Sequence, residues 1–178
     1  LLITAFANGW ANFGVRIALL PLMAAAVPAS GETAAGIGLT LFALGSALTQ
    51  QFSGRLVDRR GRRPFLVLGL AISAVATIPF GWGESLAVFL ALSALAGVGA
   101  AFVGPASQAL LADLIGANRN GGQALSTYSM ATDLGSIAGT MLAGIIAQVI
   151  GFGWAFAVTG IVMATAMVPW FLVKRRTP

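Results

Sequence analysis

The sequence predicts an all-α membrane protein of six transmembrane helices, and three observations carry that reading. First, 58% of the 178 residues are hydrophobic and 8% are charged, with a mean hydropathy of +0.91. A soluble domain carries about 25% charged residues, and a water-soluble fold of this size could not hide so much apolar surface. Second, the apolar residues fall in runs of about 20, the length at which a helix crosses a bilayer. Runs this long, without strict alternation, exclude barrel strands. Third, nine of the ten basic residues fall in alternate segments between the runs, as orientation signals do.

In chain order, the first run covers about 3–27 and contains Asn8, Asn12, Arg16 and Pro21. A short loop, 28–32, leads to the second run, about 33–53. A charged hairpin follows from Gly54 to Arg63, reading GRLVDRRGRR and holding half of all the basic residues. The third run covers about 65–82 and ends in the loop 83–85. The fourth covers about 86–114, before a polar loop at 116–122. The fifth, about 124–150, turns at 151–153 into the sixth, about 154–173. Lys174, Arg175 and Arg176 then form a basic tail. The whole chain, 1–178, reads as one six-helix bundle.

Counting six spans places Arg55, Arg59, Arg60, Arg62, Arg63, Arg119, Lys174, Arg175 and Arg176 on one side. The opposite loops hold no Lys or Arg, only Glu32 and Glu84. By the positive-inside rule both termini are expected to be cytoplasmic. An error of one span would scatter the charges, so they check the count. Trp82 and Trp154 fall at the expected outer interface and Trp170 near the inner one, where aromatic belts lie.

Cysteine and histidine are both absent. The chain therefore offers no disulfide framework, and lacks the commonest general base and metal ligand. No metal site, cofactor or catalytic residue is expected. A sequence pI near 11.5 suggests nucleic acid at first sight. The basic residues, however, sit at the ends of apolar spans, which points to topology and to anionic lipid instead. No GxxxxGK[ST] phosphate loop occurs, which argues against ATP drive within this chain. The chain starts at Leu1 and reads as a fragment or a processed product, without a recognisable signal peptide.

Polar residues inside the spans are the functional candidates. A charge at the bilayer centre costs about 2.5–3.5 kcal/mol on insertion scales, so Arg16 is expected to face a partner or a wet cavity. Asn8, Asn12 and Arg16 are spaced four apart and share one helix face. That stripe reads as a substrate or ion path, or as a buried structural network. Asp133 is the lone acid deep in the fifth span, with Ser129, Ser136 and Thr140 near it. Its depth matches that of Arg16, so a buried Arg16–Asp133 ion pair is expected, or a proton-carrying role for the acid. In the fourth span, Gly97, Ala100 and Gly104 form a small-residue face suited to close helix approach. Pro105 is expected to kink that helix. Gln108 reads equally as a substrate contact or a bond to a neighbouring helix. Gly135 and Gly139 form a GxxxG pair, best read as helix packing.

The hairpin resembles the signature loop of the major facilitator superfamily (MFS), G-x-L-a-D-R-x-G-R-R, between the second and third helices of a six-helix half. Gly54, Leu56, Asp58, Arg59, Gly61, Arg62 and Arg63 match position by position. GPASQALLAD and the following NRNGGQALS are similar to the end of a fourth helix and the start of a fifth. The resemblance covers essentially the whole chain. It implies one half of a twelve-helix transporter, with a small-molecule substrate held between two six-helix halves near the midplane. The partner half would lie in the same chain or in a second copy. N-terminal halves of drug exporters often carry an arginine four residues before a GxG in the fourth helix. Ser93 occupies that slot here, before Gly97 and Gly99, which favours the C-terminal half. By the same resemblance, Asn8, Asn12, Arg16 and Gln108 are the candidate cavity residues, and Asp133 lies near the inter-half interface. The hairpin, Gly54 to Arg63 with Asp113, is then expected to act as a cytoplasmic gating latch. A non-transporting scaffold or receptor on the same fold is the alternative.

Overall fold

The computed structural model describes residues 1–26, 31–82, 85–116 and 121–172, and every regular element among them is helical. The first span is α1 (Leu2–Asn8), a π-helical segment (Gly9–Val15) and α2 (Arg16–Ala26). Then come α3 (Gly31–Arg60), α4 (Arg62–Thr77) with a 3₁₀ extension (Ile78–Trp82), and α5 (Leu86–Ile115). The chain continues through α6 (Gly121–Val149), α7 (Phe152–Thr165) and α8 (Val168–Leu172). Five of the described helical stretches, 33–60, 62–82, 86–115, 121–149 and 152–172, are long and apolar enough to cross a membrane. Residues 2–26 add a stretch of roughly 35 Å at about 1.5 Å per residue. This is an integral membrane protein.

The charged hairpin takes a different form from the one expected. Helix α3 does not stop at residue 53 but continues through Arg60, and the reversal is confined to Gly61, whose φ is 95°. The change in polarity at residue 54 marks a membrane edge. It does not mark a helix end, because Arg, Leu, Val and Asp all propagate a helix into water. Within the hairpin only Gly61, and not Gly54, needs glycine's access to positive φ. The polar loop at 119, the loops 27–30 and 83–84, and the basic tail from 173 lie outside the described residues.

Close packing comes from small residues, as expected where lipid leaves little hydrophobic drive between helices. Helix α5 runs along α3 and α4, while the first span runs along α6. A Cβ on Gly139 would sit 2.7 Å from the Trp10 carbonyl oxygen, and one on Gly135 would collide with the backbone of Phe6. The GxxxG pair of α6 is therefore the seat of the first span. Gly97 meets the backbone of Phe42 in α3 in the same way. Gly104 departs from the expected packing face, since a Cβ there would meet open space.

Two indole N–H groups tie the last span to the first. Trp10 donates to Thr159 Oγ1 at 3.2 Å, and Trp170 donates to Thr4 Oγ1 at 2.9 Å. Phe80 packs between Phe89 and Phe156, with ring centroids 5.0 Å from each. Trp82 and Trp154 meet edge to face at 5.8 Å, so they share one end of the bundle. Outward faces carry Leu44, Leu48 and Phe52 on α3 and Ile137, Met141 and Ile145 on α6, all exposed. Such faces suit lipid or another apolar body.

Candidate functional site

Arg16 is 3% exposed, the most deeply buried charge among the described residues. It begins α2, directly after the π segment. Single π turns occur often at functional sites, and this one carries Asn12 between Asn8 and Arg16. The three side chains form a chain of hydrogen bonds. Asn12 Nδ2 donates to Asn8 Oδ1 at 2.8 Å, and Arg16 Nη1 donates to Asn12 Oδ1. Arg16 Nη2 donates to Thr77 Oγ1 at 3.4 Å, reaching the end of α4. The guanidinium carbon lies 4.4 Å from the centroid of the Phe42 ring, a cation–π contact from α3. Arg16 Nε is buried without a hydrogen-bond partner among the described residues.

These groups line a cavity of about 360 Å³. The first span contributes Asn8, Asn12 and Arg16 together with Phe13 and Ile17. Helix α3 supplies Leu39, Phe42, Ser46 and Gln50, and α5 supplies Ala100 and Gly104. Gly104 thus widens the cavity instead of seating a helix. Gln50 Nε2 donates to Ser46 Oγ at 3.0 Å, so the α3 wall is polar toward its charged end. Sequence reasoning missed this wall. The available signal was the four-residue spacing of Phe42, Ser46 and Gln50, two of them polar inside a span.

Two expectations are corrected. The Arg16–Asp133 ion pair does not form: Asp133 is exposed, and among the described residues Arg16 bonds the neutral groups above. Similar depth in the membrane did not settle direction around the helix. Asp133 is two residues from Gly135, hence about 200° round α6 from the face that meets the first span, at roughly 3.6 residues per turn. Gln108 is also exposed and does not line the cavity.

At the α3–α4 turn, Arg62 donates from Nη1 to the Ala109 carbonyl oxygen at 2.8 Å and pairs with Asp113. This ties the start of α4 to the end of α5. Asp58 and Arg59 are exposed. Asp58 forms no ion pair or hydrogen bond with another described residue, and the ion pair at this turn is Arg62–Asp113. Arg63 is half-buried. A Cβ on Gly54 would meet nothing within 4 Å, so no packing contact in this bundle requires glycine there.

Comparison with known proteins places this geometry. The profile of the Major Facilitator Superfamily matches residues 1–178. Multidrug resistance protein 2 of Bacillus subtilis (strain 168) is 32% identical over 166 residues, covering 92% of this chain and 40% of that protein. Multidrug resistance protein MdtG of Yersinia enterocolitica is 29% identical over 171 residues, 93% of this chain and 41% of that protein. MdtG of Serratia proteamaculans is 30% identical over 162 residues, 89% and 39% respectively. The chain spans about 40% of the length of these relatives.

Proposed function

The chain belongs to the Major Facilitator Superfamily, and we propose that it is the C-terminal six-helix half of a secondary transporter that exports a small organic solute by alternating access. The observation that carries this reading is the cavity beside Arg16. A cavity with a hydrogen-bonded Asn–Asn–Arg chain, set among apolar spans, is costly to maintain unless something polar enters it. The names of these relatives, all multidrug resistance proteins, support export of organic compounds. In this reading the other half, in the same chain or in a second copy, covers the exposed faces of α3 and α6 and closes the far side of the cavity. The protein sits in the inner membrane with both ends of this segment cytoplasmic.

The α3–α4 turn serves as the gate. Arg62 and Asp113 fix α4 to α5 within this half. Asp58 and Arg59 are left to meet the other half when the cytoplasmic side closes. Asp133, exposed on α6 in this half alone, is available to take up a proton during the cycle. Solute flux through proteoliposomes holding the full-length protein tests the reading. Flux of organic solutes down or against an imposed ion gradient supports a transporter. Solute binding without flux under any gradient supports a receptor or scaffold instead. For the gate, Asp58→Asn is expected to shift the inward/outward population while solute binding stays unchanged.

A further inference from the structure

We infer that the solute carries an anionic group on an apolar body, and that Arg16 is the residue that binds the anion; this rests on the cavity being the transport site. A buried guanidinium normally meets a carboxylate, because pairing offsets the cost of leaving water. Arg16 meets none among the described residues. Its partners are an amide oxygen, a hydroxyl and a ring face, all formally neutral, and its Nε–H is unsatisfied. Among the described residues the positive charge at the cavity wall is therefore left uncompensated.

The guanidinium is also held still. Asn12 spends its amide N–H on Asn8, which turns its oxygen toward Arg16. Thr77 holds a second nitrogen, and Phe42 holds one face of the plane. A planar fork fixed in this way is pre-organised for the oxygens of a carboxylate, sulfonate or phosphate, which it binds in bidentate fashion. The rest of the lining sets the remainder of the ligand. Phe13, Ile17 and Leu39 offer apolar contact, while Ser46 and Gln50 offer neutral hydrogen bonds. The same wall disfavours a cation, which would face an uncompensated like charge.

The test uses the full-length protein and a matched pair of probes, naphthalene-2-sulfonate and the neutral naphthalene-2-sulfonamide. Equilibrium dialysis gives the affinity of each. The wild type is expected to bind the sulfonate at least tenfold more tightly than the sulfonamide. Arg16→Gln is expected to erase that preference by weakening the sulfonate alone. Arg16→Lys, which keeps the charge but loses the fork, retains part of it and shows that the fold survives substitution. No sulfonate preference in the wild type, or a preference that persists in Arg16→Gln, overturns the inference. An Arg16-dependent preference without flux in proteoliposomes upholds the anion site and sinks the transport reading. Flux of the sulfonamide with no anion preference does the reverse.

Discussion

Arg16 and Arg62 solve the same problem in opposite ways. Arg62 stands at a helix turn with its side chain 30% exposed and pairs with Asp113, itself 58% exposed. Arg16 is buried at mid-span, and its partners among the described residues are neutral. The pair at the turn is compensated within the bundle and half-solvated, so its charges cost little. The charge in the span is expensive and stays uncompensated by the described residues. Arginines at a membrane edge can be retained for orientation and for holding helices together. One at mid-span needs a further reason, and the cavity supplies it.

The contrast predicts effects of very different size. The largest belongs to the seat of Arg16. Gly135→Val puts side-chain carbon into the backbone of Phe6, where overpacking costs about 1–3 kcal/mol or more. The monodisperse yield of the full-length protein should fall sharply. Gly144→Val should not change it, since nothing lies within 4 Å of a Cβ there.

Next comes Arg16→Gln in the ligand-free protein. Breaking a buried ion pair costs about 3–5 kcal/mol, because it strands the partner charge. With no carboxylate to strand, the thermal unfolding midpoint should stay level or rise. A drop of many degrees would mean that the rest of the chain supplies an acid to Arg16. The Arg62–Asp113 coupling should be smaller. A double-mutant cycle with Arg62→Gln and Asp113→Asn should return about 1 kcal/mol or less, fading as salt is raised. Of similar size, Gly54→Ala should stabilise α3 by about 0.5–1 kcal/mol through helix propensity. If it instead slows transport, Gly54 is kept for the approach of the other half.

Much of the fold was legible because a bilayer demands long apolar runs, and because the charges between them alternate in density. What escaped notice has physical causes. Polarity marks where a helix leaves the membrane, not where it ends, so α3 ran seven residues past residue 53. The π segment has no period of its own in the sequence; it becomes visible only where α6 packs against Gly9 and Gly14. The Asn8–Asn12–Arg16 stripe was legible as a charge too costly to be idle. The facing wall was not, because Ser46 and Gln50 carry no charge and sit in a span like many others. The Arg16–Asp133 expectation failed because depth along two helices says nothing about rotation around them.

Protection from chemical labelling compares the two regions most directly. The 178 residues contain no cysteine, so Ser46→Cys in the cavity and Arg59→Cys at the turn each place one thiol in this segment. N-ethylmaleimide labelling rates are measured in the full-length protein with and without saturating naphthalene-2-sulfonate. The probe should slow labelling severalfold at position 46 and leave position 59 unchanged while the gate is static. Protection at position 59 alone, or at neither position, would contradict the placing of the site beside Arg16.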